Sequence, residues 1–383
     1  MLKLPKLLTT LLWLMSPVVL FGQDPFFTHF YGNEALFNPA QTGSSGALSI
    51  RLKAKHQWHS PGTTGYQTYL AALEESMPCS FFDYGISVLQ DIEGEGYLKT
   101  QQFGLSLASP LPLLNSLSGN ILQLRLGIGL LWAQQSVDYS RLLFIDQLDP
   151  KYGKTDSNGR PIPGSFVPPN DGRSEWYFKP SGGFSLQYVI NPKSRKATTI
   201  SGGGAVHNVV ALQSWSVLGL EAQALPRYSA FANAEVVLGY LQQQYLSFKP
   251  QVYWQDQQGL SYLEGGGSMS FSRLVSAGFF YHSSRPKDGL AATNWGSAQL
   301  EVGFFTGPGS RVDLGFGYGF NFSGLRNQVA NVYELTVRFS FAKSPMCSLA
   351  GDPAPYDTKG ALPCPTLRRS TKDKIYENIW YNH

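Results

Sequence analysis

Apolar and polar residues alternate with period two along most of this chain. From Leu122 through Leu124, Leu126, Ile128 and Leu130 to Trp132 every second residue is apolar, with Gln123, Arg125, Gly127 and Gly129 between them. Val312, Leu314, Phe316, Tyr318 and Phe320 repeat the pattern against Arg311, Asp313 and glycines. Leu48, Ile50, Leu52 and Ala54 alternate with Ser49, Arg51, Lys53 and Lys55, and Tyr333, Leu335, Val337, Phe339 and Phe341 with Glu334, Thr336, Arg338 and Ser340. Side chains of a strand point alternately to its two faces, so each run predicts a strand with one oily and one wet face. The runs cover roughly 9–12 residues, the length of a tilted strand crossing a bilayer, whereas strands of soluble domains are nearer about 5–6.

The pattern predicts strands near 46–58, 65–75, 84–91, 97–108, 120–134, 176–190, 197–207, 227–241, 244–255, 259–271, 273–284, 297–306, 310–321 and 331–342. This is about fourteen, an even number as in bacterial outer-membrane barrels. The connections sort by parity. With both ends of the barrel sequence in the periplasm, the periplasmic turns include 191–196, Gln242-Gln243, Phe271–Arg273 and Gly307–Ser310, and one longer Pro-rich piece, Ser109–Asn120. The opposite set holds the long segments 135–175, 208–226 and 285–296. Short periplasmic turns and long outer loops are the signature of such barrels. Trp58, Trp132, Trp176, Trp215, Trp254 and Trp295 all fall at or beyond the outer strand ends, where an interfacial aromatic girdle is expected.

Composition points the same way. Only 15% of residues are charged, with 40 glycines and 14% aromatics, against about 25% charged in ordinary soluble domains. Lys3 and Lys6, the apolar run Leu7–Phe21 and the small Gly22 read as a secretory signal over 1–22. That run is too short for a lasting membrane helix, and Gln23 after the cleavage point offers no lipid-anchor cysteine. The formal charge of +4 gives no argument for nucleic acid. Three cysteines remain, Cys79, Cys347 and Cys364, all periplasmic in this topology; Cys347 and Cys364 form the nearest possible disulfide.

Candidate chemistry is sparse. His56 and His59 have a metal-compatible spacing only on a helix, and here they end a strand with Pro61 following. Ser284-Arg285-Pro286-Lys287 matches a bare Ser-x-x-Lys pattern, but Pro286 spoils the helix that would align it. No nucleophile elbow, phosphate loop or dinucleotide fingerprint occurs, so neither catalytic residues nor a cofactor or metal site is assigned. Arg51, Lys53, Lys55, Arg125, Asp313, Glu334 and Arg338 face inward by parity. Because both signs occur, paired charges filling a closed lumen account for them better than a ligand-lined channel. After Phe341 the chain continues through a tail, 343–383, with a basic cluster at Arg368, Arg369, Lys372 and Lys374 and the run Ile375-Tyr376-Glu377-Asn378-Ile379-Trp380-Tyr381. Disordered tails seldom carry such residues so densely; a docking peptide, a lumen plug and a plain tail stay open.

The block Gln23-Asp24-Pro25-Phe26-Phe27-Thr28-His29-Phe30-Tyr31, the turn Phe37-Asn38-Pro39-Ala40-Gln41-Thr42-Gly43-Ser44 and the strand GALSIRLKAKHQW (46–58) resemble the PorP/SprF family of type IX secretion and gliding proteins. YGISVLQDIEGEGYLKTQQFGLSLA (84–108) is similar to that family's second hairpin and VYELTVRFSF (332–341) to its closing strand; 135–175 and the tail after Ala342 depart from or extend the pattern. The resemblance implies an all-β outer-membrane antiparallel barrel over 46–342, a short periplasmic N-terminal segment over 23–45 and a periplasmic C-terminal tail. It implies a non-enzymatic component that assists export or surface attachment of cargo or adhesins with C-terminal sorting domains. The outer loops would meet cargo, while the N-terminal segment and tail would meet a periplasmic ring lipoprotein and its partner. Candidate partner-binding residues are Phe26, Phe30, Asn38, Pro39, Arg368, Arg369, Ile375, Tyr376 and Trp380. The rival readings are a porin, an apolar-substrate transporter and an exported β-sandwich.

Overall fold

The computed structural model describes residues 24, 27–29, 34–44, 48–58, 65–77, 80–115, 120–167, 169–191, 198–210, 213–215, 217, 221–223, 225–241, 244–257, 259–287, 292–307, 309–322 and 331–349. Residues 1–22, read above as a signal, and those from 350 onward, with Cys364, Arg368, Arg369, Ile375, Tyr376 and Trp380, lie outside them, as do Phe26, Phe30 and Cys79.

Fourteen strands form one closed antiparallel barrel in which sequence neighbours are spatial neighbours. They are β1 (Leu48–Gln57), β2 (Tyr66–Glu75), β3 (Asp83–Glu93), β4 (Leu98–Asn115), β5 (Ile121–Ser136), β6 (Tyr177–Ile190) and β7 (Thr198–His207). The second half comprises β8 (Arg227–Leu241), β9 (Gln244–Gln257), β10 (Leu260–Phe271), β11 (Val275–Pro286), β12 (Thr293–Gly307), β13 (Ser310–Asn321) and β14 (Val332–Phe341). Closure is complete: β1 pairs β14 from Leu48↔Phe341 to Gln57↔Val332 without a break. A closed barrel leaves no row of unpaired backbone groups, the condition for strands in hydrocarbon.

The wall is inside out relative to a soluble domain. Leu52, Ile128, Phe184, Phe279, Leu300, Phe316 and Leu335 face outward and are exposed. Ser49, Arg51, Lys53, Gln123, Arg125, Glu334 and Arg338 face inward and are buried. A continuous exposed apolar belt has no place in water. In a bilayer it is the required outer surface.

At one end, where β1 begins and β14 finishes, the turns 76–82, 116–120, 191–197, 242–243, 272–274 and 308–309 are short. We call this the terminal end. The opposite, loop end carries 137–176, 208–226 and 322–331. One short turn shows how a link also places a side chain. Ser272 and Arg273 both have positive φ (46° and 54°), and Leu274 N donates to Phe271 O at 2.8 Å, as in a type I′ hairpin turn. It swings the Arg273 guanidinium onto Glu235.

Several sequence expectations need correction. β4 continues through Ser109–Asn115, read above as a connection. Past Ala108 it has lost β3 as a neighbour and pairs only with β5, so Pro110 and Pro112 sit on a free edge where a missing N–H costs no ladder bond. β12 starts at Thr293 rather than 297, and a two-stranded hairpin, Gln213–Trp215 with Glu221–Gln223, lies within 208–226. Trp295 does not join the outer girdle. It turns into the lumen and stacks on His282 with centroids 5.1 Å apart; Trp58, Trp176 and Trp254 are exposed.

The largest difference concerns residues 24–44. The described part of this segment lies inside the barrel instead of outside it in the periplasm. It contains the four-residue helix α1 (Glu34–Phe37) and a 3-10 turn, Pro39–Gln41, capped by Asn38, whose Oδ1 accepts from Ala40 N at 2.9 Å. After β14, helix α2 (Pro345–Leu349) folds against the terminal end: Ser344 Oγ and Met346 N both donate to Glu75 Oε1, the latter at 3.0 Å. Cys347 in this helix is buried and disulfide-bonded.

The outward position of Leu300, midway along β12, gives a direct test. Leu300→Arg should lower folding stability in lipid vesicles by about 2–4 kcal/mol, read by denaturant titration of the heat-dependent band shift of folded barrels. An unchanged midpoint would remove the lipid-facing assignment of this wall.

Candidate functional site: the plugged lumen

The interior is crossed by the N-terminal segment, and its walls are built to hold it. At the loop end the Asp24 carboxylate forms an ion pair with Lys179 Nζ on β6 and lies 3.6 Å from Arg227 Nη1 on β8. Gln257 on β9 brackets the same residue, accepting from Asp24 N and donating to Asp24 Oδ2, each at 3.3 Å. Further in, Phe27 packs on Leu70 and Leu89, with Lys53 Nζ 4.8 Å from its ring centroid. Lys53 forms a 2.5 Å ion pair with Glu334. This wall pair also reads the plug backbone: Glu334 Oε2 accepts from Thr28 N at 3.1 Å, and Lys53 Nζ donates to His29 O at 3.3 Å.

Residues 34–44 are held more tightly. Phe37 fills an aromatic pocket of Phe231, Tyr253 and Tyr262, its ring 4.8 Å from that of Tyr253. Ser229 Oγ donates to Phe37 O at 2.9 Å, and His207 Nε2 lies 2.9 Å from the same oxygen. The carbonyl has no proton to give, so this histidine nitrogen carries the hydrogen. Asn38 Nδ2 donates to Phe184 O at 2.9 Å. Arg125 ties the 3-10 turn to the wall, donating from Nε to Ala40 O at 2.9 Å and from Nη2 to Thr42 O at 2.5 Å and to Asp83 Oδ2 at 2.9 Å. At the terminal end Glu74 Oε2 accepts from Gly43 N at 3.0 Å, and the chain enters β1.

Two glycines are the seats of this plug. A Cβ on Gly127 would stand 2.2 Å from Ala40 N, and one on Gly183 2.2 Å from Asn38 Oδ1. The plug backbone lies directly on the sheet there, an approach only glycine permits.

The inward charges expected from parity are buried and mostly paired. Arg51 meets Glu74 at 2.9 Å and Glu34 of the plug at 3.4 Å. Arg338 meets Asp313 at 3.0 Å, and Arg311 meets the same carboxylate at 2.7 Å. What remains open at the terminal end is a polar chamber of about 110 Å³ lined in part by Glu34, Asn233, Glu235, Lys249 and Arg273. It has room for a few waters. Among the described residues no His/Cys/Asp/Glu group has metal-binding geometry. His282, for example, is engaged by Tyr262 OH at 2.8 Å and Ser297 Oγ at 2.6 Å.

The long connection 137–176 is folded on itself. Phe144 stacks on Phe166 with centroids 4.5 Å apart, and the Asp146 carboxylate accepts from Ser165 N and Oγ at 2.5 and 2.6 Å. These bonds from Ser165 hold its pKa below the usual carboxylate value. Arg141 lies 3.8 Å over the Tyr97 ring, fastening the loop to the β3–β4 turn. Ile145 and Val167 stand 89% and 83% exposed on this folded loop.

Asn38 and Pro39, named above as candidate contacts for a partner, are buried in the lumen. Their role in this structure is to cap and position the plug, and burial leaves them no outer face. The sequence reading missed Asp24, Glu34 and Phe37 on the plug and Lys179, Arg227 and Glu235 on the wall. The wall residues carry a usable signal, since each is an isolated charge at the inward parity of its strand. The plug residues carry none, because nothing local says where an irregular segment goes.

A family model described as type IX secretion system membrane protein PorP/SprF matches residues 19–339. No curated protein matches the chain. Among solved structures, the CymD monoaromatic hydrocarbon channel is 11% identical, with a TM-score of 0.40 over 82% of this chain and 93% of that one. CdiB from Acinetobacter baumannii is 9% identical, with a TM-score of 0.39 over 77% and 60%. Outer membrane protein Omp33 of the same species is 9% identical, with a TM-score of 0.37 over 78% and 100%.

Two substitutions test how the plug is seated and what its anchor contributes to folding. Gly127→Leu should unseat the plug while leaving the wall closed, giving steady ion conductance in planar bilayers where the parent chain gives none. Arg125→Met removes the cation paired with the buried Asp83 carboxylate and should destabilise the fold by about 3–5 kcal/mol, seen as a lower denaturation midpoint.

Proposed function

This outer-membrane barrel belongs to the PorP/SprF family of type IX secretion system membrane proteins, and from that premise we propose that it serves as a docking component of the apparatus. In this reading it assists export or surface attachment of cargo or adhesins with C-terminal sorting domains and contacts a periplasmic ring lipoprotein and its partner. The family is one of membrane barrel components, not an enzyme class.

The filled lumen is the observation that carries the proposal. A channel for solutes needs a water-filled path, whereas here the described residues of a segment held by Lys53, Arg125 and Lys179 lie in the lumen near both mouths. With transport through the barrel disfavoured, what the protein offers partners is its two ends. We place the loop end outside the cell, because long loops of bacterial barrels lie there. The folded 137–176 loop, with Ile145 and Val167 on its surface, then faces cargo. The terminal end, with α2 docked on Glu75 and the tail continuing beyond Leu349, faces the periplasm. Arg368, Arg369, Ile375, Tyr376 and Trp380 remain the proposed ring contacts, and Phe26 and Phe30 remain candidates on the N-terminal segment. The porin and apolar-substrate transporter readings require the plug to leave.

Truncation after Leu349 keeps the residues of α2 and their bonds to Glu75 and removes the rest of the tail, Cys364 included. Detergent pull-downs from outer membranes of the native host should recover ring proteins or a sorting-domain cargo with the full chain and lose the ring proteins with the truncated one. Recovery of the barrel alone in both cases, with conductance in planar bilayers, would favour the porin reading instead.

A further inference from the structure

The lumen wall balances its own charge except at the loop end. Arg51, Lys53, Arg125, Arg273 and Arg338 each meet a carboxylate supplied by another strand of the barrel, and Arg311 meets Asp313 of its own strand. Lys179 and Arg227 differ. Their ion pairs both run to Asp24 of the plug, and among the described residues neither has one to a wall carboxylate. Both side chains are more than nine-tenths buried, at 9% and 5% exposure. Two buried cations side by side repel one another and need an anion between them.

The donors at this mouth also exceed what Asp24 uses. Arg227 Nε is buried without a hydrogen-bond partner, and its Nη1 stands 3.6 Å from the carboxylate, longer than a hydrogen bond. Gln257 adds a further donor at 3.3 Å. A guanidinium fork with unused N–H groups, an ammonium and an amide around one point form a carboxylate receptor. Beyond it the wall continues in a form suited to an extended peptide: Phe27 sits on Leu70 and Leu89, and Glu334 and Lys53 bond the backbone of Thr28 and His29. Bonds to backbone groups do not depend on the side chains that follow.

We propose that Lys179, Arg227 and Gln257 form a receptor for the carboxylate of an extended peptide carrying an aromatic residue three positions later, and that the Asp24 arm is its displaceable intramolecular occupant. This goes beyond the secretion reading and does not depend on it. A peptide arriving at the loop end would compete with the arm, and the tightly seated residues 34–44 would keep the lumen closed during the exchange. The arm competes at an effective concentration on the order of millimolar, so the native chain takes an outside peptide only weakly. Weakening the arm exposes the receptor.

The test uses the full chain carrying Asp24→Asn in detergent, with folding checked by heat-dependent migration. The probe is a fluorescein-labelled, C-terminally amidated peptide of residues 23–31, followed by anisotropy. Saturable binding is expected, weakened at least about thirtyfold when the peptide's own aspartate becomes asparagine. A similar loss is expected when Lys179→Met and Arg227→Gln are added to the protein, while Lys179→Arg retains binding. Absence of saturable binding to the folded Asp24→Asn chain would overturn the proposal. So would binding indifferent to the peptide carboxylate or to the two cations.

Discussion

Closure of the sheet is the constraint on which everything else in this protein rests. Once β14 pairs β1 along its whole length, the sheet closes on itself without an open edge strand and the outer surface is free to be oily. The same closure commits every polar side chain of the alternating strands to a single confined interior. Charges such as Arg125, Lys53 and Glu334 cannot reach bulk water from there, so each needs a partner placed by some other strand. The network of pairs across the lumen is therefore a consequence of closing the sheet.

An empty interior of fourteen strands would be too wide for wall side chains to fill by themselves. The N-terminal segment solves this problem with backbone as much as with side chains. Gly127 and Gly183 let Pro39–Ala40 and Asn38 lie on the sheet, and Arg125 and Ser229 then satisfy carbonyls that would otherwise be buried unpaired. Residues 34–44 are fixed by an aromatic pocket and a run of hydrogen bonds, whereas the arm is held by the Phe27 contacts, two backbone bonds at Thr28 and His29 and the charge of Asp24 at its tip. A plug built in this way can change at its outer end without opening the barrel.

The division of labour between the two ends follows from the same architecture. Tight turns at the terminal end leave α2, docked on Glu75, as the main described feature there. The loop end carries the folded 137–176 segment, whose Phe144–Phe166 stack and Arg141–Tyr97 contact make it a structured surface. The filled centre directs attention to these surfaces as the places where a secretion component meets its partners.

The amino-acid sequence alone determined the strands, their facing and their solvent. Period-two alternation is a local property, and it placed Arg51, Lys55, Asp313 and Glu334 inward and Leu52, Phe316 and Leu335 outward, with a strand count of fourteen that the barrel has. Where local pattern was ambiguous it misled. Pro110 and Pro112 read as a break because their tolerance depends on β3 having ended, and Trp295 read as a girdle residue because its turn toward His282 depends on a neighbouring strand. Only the tertiary structure decided the path of residues 24–44 and the identity of each buried charge's partner. Asp24 and Lys179 are separated by 155 positions, and Arg125 and Thr42 by 83. Such pairs exist because barrel closure brings distant strands around one narrow space, a condition that no local alternation of apolar and polar residues encodes.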